Sequence, residues 1–175
     1  MSAPPLAPEW RALVNRIVAE YREAIGADLV AVALFGSVAR GEARPDSDLD
    51  LYVVTRRPII GDPRLQGMWD RIDASREYQS LVTAGFRPTP SPVPHTVDDL
   101  ARHPWLLLDI TDHGIVLYDP ESVLTLELDA VRRRMIELGS RRVELPDGSW
   151  YWDLKPDWRA GQVVDLWPTA SEPIG

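Results

Sequence analysis

Four residues stand out for the chemistry that their types and spacing allow: Gly36, Ser37, Asp48 and Asp50. On a strand, two residues apart means one face, so Asp48 and Asp50 project together while Leu49, Leu51 and Val53 take the other side. Carboxylate oxygens are the hard ligands that Mg²⁺ prefers, and Mg²⁺ commonly divides its shell between one or two carboxylates and substrate phosphates. Two such charges in an apolar interior repel each other, a cost that a divalent cation removes. Gly36 lacks a Cβ, so its backbone can approach a ligand closely, and the N–H groups after it open a helical turn suited to an anion. The two halves together suit a metal-bound triphosphate.

The elements that must position these residues are readable around them. Leu29–Phe35, a valine-containing apolar run closed by glycine, reads as a buried strand. Gly36-Ser37 turns the chain, and Ser37–Gly41 can form one helical turn. The polar stretch Glu42–Ser47 then leads into a second strand, Asp48–Thr55. A plainer alternative is a strand connection whose Asp, Ser and Gly are solvated turn residues.

The segment GSVARGEARPDSDLDLYVV resembles the signature of the DNA polymerase β-type nucleotidyltransferase superfamily in its small stand-alone, minimal form. The matching positions are Gly36, Ser37, Arg40, Gly41, Ser47, Asp48, Asp50 and Leu51, in register between two strand-like runs. The resemblance implies metal-dependent transfer of a nucleoside monophosphate from an NTP, ATP foremost, to an acceptor hydroxyl, with pyrophosphate leaving. It assigns Asp48 and Asp50 as catalytic residues and ligands of Mg²⁺ (or Mn²⁺). Gly36, Ser37, Arg40, Gly41 and Ser47 fall to nucleotide binding, Arg40 either assisting or pairing within the fold and Ser47 orienting the loop.

Composition bounds the rest. A chain of 175 residues fits one domain, or a core with an extension. Its 45% hydrophobic and 26% charged content is ordinary for a soluble globular protein. The absence of cysteine excludes disulfides and thiolate metal sites. No apolar run reaches membrane-spanning length and MSAPPLAPEW lacks a signal pattern, so a cytoplasmic protein without membrane contact is expected. The net charge of −8 disfavours general nucleic-acid binding, which draws on phosphate contacts.

Along the chain, Ala7–Gly26 reads as a helix, with Pro8 in its first turn, a stripe of Trp10, Leu13, Val14, Ile17, Val18, Tyr21 and Ile25, and Gly26 as cap. Leu65–Ala84 reads as a second helix. Arg56 and Arg57 could lie near phosphates or on a solvated surface. Val97–His113 should form one or two helices, with Pro104 opening the second. Ile115–Asp119 reads as a strand and Pro120–Leu138 as the last long helix. Arg132, Arg133 and Arg134, with Arg141 and Arg142, make the most basic patch, either a solvated helix end or a contact for a phosphate-rich or acidic acceptor. Arg142–Leu154 reads as a hairpin turning at Asp147-Gly148, with Trp150 and Trp152 on one face. Four tryptophans, Trp150, Trp152, Trp158 and Trp167, serve packing, self-association or an acceptor pocket. Ser171–Gly175 should fray. His95, His103 and His113 show no metal-ligand spacing.

One departure matters. The superfamily's third core strand usually brings a third carboxylate that completes the metal site and helps deprotonate the acceptor. The corresponding stretch, Phe86–Val93, holds Thr89 and Ser91 among prolines, with no Asp or Glu between Glu77 and Asp98. The prolines point to an edge strand. Asp98, Asp99, Asp109 and Asp112 are candidates to reach in, although Asp98 and Asp99 also suit the first turn of a short helix.

The expected fold is therefore α/β, a nucleotidyltransferase fold with a small mixed sheet, helices packed on one face, and a C-terminal helix and hairpin extension. Residues 1–94 should form the core and 95–175 the extension. The expected function is nucleotidyl transfer to a small molecule or a partner protein. The alternative is a nucleotide-binding pseudoenzyme or antitoxin-like interaction module. A homodimer is compatible with either.

Overall fold

Proline at the first turn and apolar residues three and four apart begin the chain as α1 (Pro8–Ile25), and Gly26, at φ +53°, ends it. A computed structural model of the chain describes residues 6–102, 104–147 and 149–165. After α1 come β1 (Leu29–Leu34), a four-residue α2 (Gly36–Ala39) and β2 (Asp48–Thr55), whose bounds match the alternation read from the sequence. The expected helix over Leu65–Ala84 is instead two, α3 (Met68–Asp73) and α4 (Arg76–Thr83). Ser75 divides them, its hydroxyl accepting from the Tyr78 N–H as an N-cap.

The next strand, β3 (Thr89–Thr96), begins three residues after the expected Phe86. Two helices follow, α5 (Val97–Leu100), opened by a Thr96/Asp99 capping box, and α6 (Leu106–His113). Then come β4 (Ile115–Tyr118), α7 (Val123–Leu138), and a separate hairpin of β5 (Arg141–Glu144) and β6 (Trp150–Asp153). Among the described residues no helix is long and apolar enough to cross a membrane. Gly148 of the hairpin turn, His103, Trp167 and Ser171–Gly175 lie outside the described residues.

The main sheet runs β3-β2-β1-β4, with β2 and β3 parallel and the other pairs antiparallel. All six β1 residues are buried, as the unbroken apolar run requires for a strand covered on both sides. Val32, Leu34, Leu49, Leu51 and Val53 face a core shared with Trp10, Leu13, Ile17, Met68, Ile72 and Leu81 of α1, α3 and α4. Buried Glu20 ties α1 to α3, pairing with Arg16 and accepting from Arg71 Nε at 2.9 Å. Ala31, Ala33, Tyr52 and Val54 face a second core with Leu107, Leu108, Ile110, Leu124, Leu128 and Val131.

The helices of the first part of the chain cover one face and those that follow β3 close the other, so helices pack on both faces rather than on the one expected; β1, apolar throughout, needs cover on both sides. The hairpin is moored to this second layer. Trp152 Nε1 donates to Asp109 Oδ1 at 2.9 Å, and Ser140 Oγ donates to the Leu154 carbonyl at 2.7 Å. Trp150 and Trp152 meet edge to face at 6.0 Å, on the shared face that strand alternation predicts, while Tyr151 is exposed.

Candidate active site

Strand register assembles the site. Leu34 pairs with Leu51, and the Phe35 N–H donates to the Asp50 carbonyl at 3.0 Å, so the turn after β1 lies against the start of β2. Asp48 and Asp50 alternate with Leu49 and Leu51 and so share the face of Tyr52 and Val54, toward α5–α7. Asp48 is exposed and Asp50 partly buried.

Gly36 is required on two counts. Its φ of +73° lies in the left-handed region, and a Cβ there would sit 2.0 Å from Asp50 Oδ2. The Asp50 carboxylate occupies the space that any other residue would fill. The room that the sequence assigns to a close-approaching ligand is thus taken, in the free protein, by the Asp50 carboxylate.

The connection between α2 and β2 is held by its own hydroxyls. Ser37 Oγ donates to Ser47 Oγ at 3.2 Å, and Ser47 Oγ also accepts from the Arg44 N–H at 2.7 Å. Gly41, at φ +74°, gives its N–H to the Val38 carbonyl at 3.1 Å, and the Glu42 N–H reaches the Ser37 carbonyl at 2.9 Å. Ser47 therefore orients the loop, and Gly41 lets the helical turn close.

Charge is unevenly balanced here. Burial first, and then the neighbouring Asp48 charge, push the Asp50 carboxyl above the usual carboxylate range; a hydrogen bond from Ser91 and the charge of Arg40 oppose the shift. Arg40 itself donates from Nε to Glu42 Oε2 at 2.8 Å. That bond, with smaller contributions from Arg142 and His113, holds Glu42 below the usual range.

The parallel β2–β3 register places Thr89 beside Asp48 and Ser91 beside Asp50. Serine thus stands where the resemblance leads one to look for a third carboxylate. None of the four candidate acids pairs with Asp48 or Asp50: each is bonded to another group or turned to solvent. Asp99 caps α5, at the far end of the sheet, where Thr96 pairs with Thr55, and exposed Asp98 lies beside it. Asp109 accepts from Trp152, and Asp112 binds His113 Nδ1 at 2.7 Å. Among the described residues no group of three or more His, Cys, Asp or Glu could hold a metal.

Arg56 and Arg57 also belong to the far end of β2. Arg56 donates to the Ala27 carbonyl at 3.1 Å and pairs with Glu121; Arg57 pairs with Asp28 at 3.0 Å. They are fold contacts, not partners of the Gly36 turn. His95 stacks on Tyr52 at 4.9 Å between ring centres. Sequence reasoning missed Glu42: its main partner, Arg40, lies two residues away and could have drawn notice, whereas His113 and Arg142 are brought near only by α6 and β5.

No curated protein sequence matches the chain. Among solved structures, it is similar to spectinomycin adenyltransferase AAD(9) from Enterococcus faecialis, crystallised with ATP and spectinomycin. The identity is 16% over 73% of this chain and 65% of that one, at a TM-score of 0.49. It is also similar to a mutant of the toxin–antitoxin pair MntA-HpeT, at 14% identity over 71% of this chain and 91% of that one, with a TM-score of 0.44. A complex of the tri-AMPylated Shewanella oneidensis HEPN toxin with MNT antitoxin matches at 14% identity, covering 74% and 92%, with a TM-score of 0.36. The nucleotidyltransferase domain model matches residues 14–115, more than half of the chain, and spans the whole Gly36–Asp50 site: the chain belongs to the nucleotidyltransferase domain family.

Proposed function

We propose that this nucleotidyltransferase moves a nucleoside monophosphate from Mg·ATP, or a related NTP, to a hydroxyl of a small molecule or a partner protein. The observation that carries the reading is the packing of the Asp50 carboxylate against the Cα of Gly36, beside Asp48. It brings a phosphate-approaching turn and two hard ligands to one end of the sheet.

The donor set fits Mg²⁺ or Mn²⁺. Two carboxylates on one strand face, with Asp50 carrying charge that its surroundings leave undercompensated, match an ion shared with substrate phosphates. Such an ion supplies charge neutralisation at the phosphates and polarises the α-phosphoryl group. Asp48 and Asp50 would hold it. The Gly36-Ser37 backbone would face the phosphates, Ser47 would keep that turn in shape, and Arg40 would add positive charge. The acceptor oxygen would attack the α-phosphorus in line as the bond to pyrophosphate breaks, its hydroxyl proton passing to solvent. Positioning and electrostatics dominate this class of transfer, so the chemistry can proceed without a third carboxylate, at a lower rate. The net charge of −8 suits a cationic acceptor.

Pyrophosphate release from each of the four NTPs, with Mg²⁺ or Mn²⁺ and cell extract as the acceptor source, tests the reading. Release that requires extract and vanishes in Asp48→Asn is the expected result; release that survives the mutation overturns it. Ser91 beside Asp50 favours one other reading, a module that holds nucleotide without turnover. Metal-dependent NTP binding with no pyrophosphate release under any condition would select that reading.

A further inference from the structure

We infer that the C-terminal hairpin belongs to the phosphate-binding apparatus. Arg142 of β5, stacked on Trp150, contacts the terminal phosphates of the NTP and the departing pyrophosphate, at a position that Glu42 guards in the free protein. The inference rests on the nucleotidyl-transfer reading and extends it to a segment beyond the family match, which ends at residue 115.

Topology brings the hairpin to the site. Ile115 pairs with Leu34, so the end of α6 and Gly114 lie just past the end of β1, next to Phe35 and Gly36. Gly114 makes the tight exit from α6 possible, since a Cβ there would come 2.4 Å from the Ile110 carbonyl oxygen. His113, the last residue of α6, lies close enough to the Gly36–Glu42 turn to lower the Glu42 carboxyl, and Arg142 does the same from β5, where it also comes within 3.8 Å of Asp112 beside His113.

Arg142 has donors to spare. Its guanidinium carbon lies over the Trp150 ring, 4.7 Å from the ring centre, a cation–π contact that restrains the side chain. The nearest carboxylates, Asp112 Oδ2 and Glu144 Oε1, are both 3.8 Å away, within ion-pair range but beyond hydrogen-bond length. Its Nε is buried and has no hydrogen-bond partner among the described residues. A guanidinium carries five N–H donors in a planar fork that matches phosphate oxygens. One held by stacking, with its donors uncommitted, is preorganised for an anion.

The electrostatics agree. Glu42 is bonded to Arg40, just after α2, and feels the charges of Arg142 on β5 and His113 on α6, so basic groups from three parts of the chain act on one carboxylate beside the phosphate turn. Glu42 has a side-chain exposure of 61% and bonds Arg40 alone among them. A triphosphate tail brings more negative charge and more acceptor oxygens than this carboxylate, and a guanidinium at that point also stabilises charge developing on the leaving pyrophosphate.

Calorimetry on the whole protein tests this, using Mg·ATP, magnesium pyrophosphate and AMP as probes. Arg142→Ala should weaken ATP and pyrophosphate binding by roughly tenfold or more while AMP changes less than about twofold, since AMP lacks the terminal phosphates. Arg142→Lys should recover part of the loss, as a point charge without the fork. Glu42→Gln should tighten pyrophosphate binding. Should Arg142→Ala fail to fold, the lysine and Glu42→Gln variants carry the test. ATP binding unchanged in Arg142→Ala, equal loss for ATP and AMP, or weaker pyrophosphate binding in Glu42→Gln would each overturn the inference. Asp48→Asn separates it from the reading beneath: loss of Mg·ATP binding there, with Arg142→Ala like wild type, refutes the hairpin's role alone. Wild-type Mg·ATP affinity in Asp48→Asn refutes the site itself, and the inference falls with it.

Discussion

β2 and β3 lie side by side, run parallel and have eight residues each, yet they solve opposite problems. β2 is central, pairs on both edges and buries Leu49 and Leu51–Thr55, with its two acids at the exposed start. β3 is an edge strand built as Thr-Pro-Ser-Pro-Val-Pro-His-Thr, exposed at Thr89 and half-buried from Pro90 onward. Its prolines, Pro90, Pro92 and Pro94, fall at every second residue. In a parallel pair alternate residues turn their N–H groups toward the neighbour, so the three missing donors all belong to the outer edge. Thr89, Ser91, Val93 and His95 are left to bond β2. The same prolines deny an incoming strand its donors, a common protection of sheet edges. One strand thus carries the acids and the other carries only hydroxyls beside them, which teaches that the fold of this site persists where one part of the usual charge does not.

The largest test of that difference is to remove an acid from β2. Asp48→Asn or Asp50→Asn should lower transfer by at least about 1000-fold, because the loss of metal-borne stabilisation amounts to several kcal/mol. The fold should gain at the same time. Asp50 is ionised at a cost set by burial and by Asp48, so in metal-free protein Asp50→Asn should melt a few degrees higher than wild type. Pyrophosphate release and a thermal melt in chelator read the two effects. A mutant that loses both activity and stability would mean that Asp50 holds the fold together.

Next in size is Gly36→Ala. Its Cβ would have to displace the Asp50 carboxylate and adopt φ +73°, so a loss of about 1–3 kcal/mol in stability is expected, with loss of metal-dependent ATP binding. Denaturant midpoints and calorimetry check it. Full ATP binding in this variant would show that the turn and the carboxylate act independently.

How much of this was legible beforehand follows from where each signal resides. β2 could be bounded to the residue because alternation, the acid pair and the flanking turn all agree within eight positions. Gly36 against Asp50 was foreseeable as proximity, though only the φ and register reveal that a carboxylate fills the missing Cβ. The split between α3 and α4 was hidden because Leu65, Met68, Trp69 and Ile72 keep helical spacing up to the Ser75 cap, and apolar period outweighs a single hydroxyl when read alone. The start of β3 was misplaced by three residues because prolines silence the pattern that marks strands. The hairpin's mooring, Trp152 to Asp109 across 43 positions, is long-range, and no local feature announces it.

A smaller effect sharpens the β2–β3 contrast from the other side. Ser91→Asp installs a carboxylate beside Asp50, in the register where the resemblance looks for one. Without metal the added like charge should reduce stability by about 1–2 kcal/mol, and millimolar Mg²⁺ or Mn²⁺ should restore it. Transfer should rise by roughly 10- to 100-fold if the new group also accepts the acceptor's proton. Melting with and without Mg²⁺, beside pyrophosphate release, reads both. A variant whose stability ignores metal would place Ser91 away from the ion, and the register account of the site would fail.

The smallest effect belongs to the prolines. Pro92 pairs with Leu51 and, on the argument above, lacks only a donor that would face solvent. Pro92→Ala therefore breaks no ladder bond. It loosens the unfolded chain and gives up part of a half-buried ring, for an expected loss of about 0.4–1 kcal/mol. Substituting it should leave Mg·ATP binding unchanged, because its ring lies on the Leu51 side of the sheet, away from Asp48 and Asp50. Urea midpoints and calorimetry measure the two quantities. A loss above about 2 kcal/mol, or altered nucleotide binding, would mean that the prolines shape β2 and its acids directly, and the division of labour between the two strands would have to be redrawn.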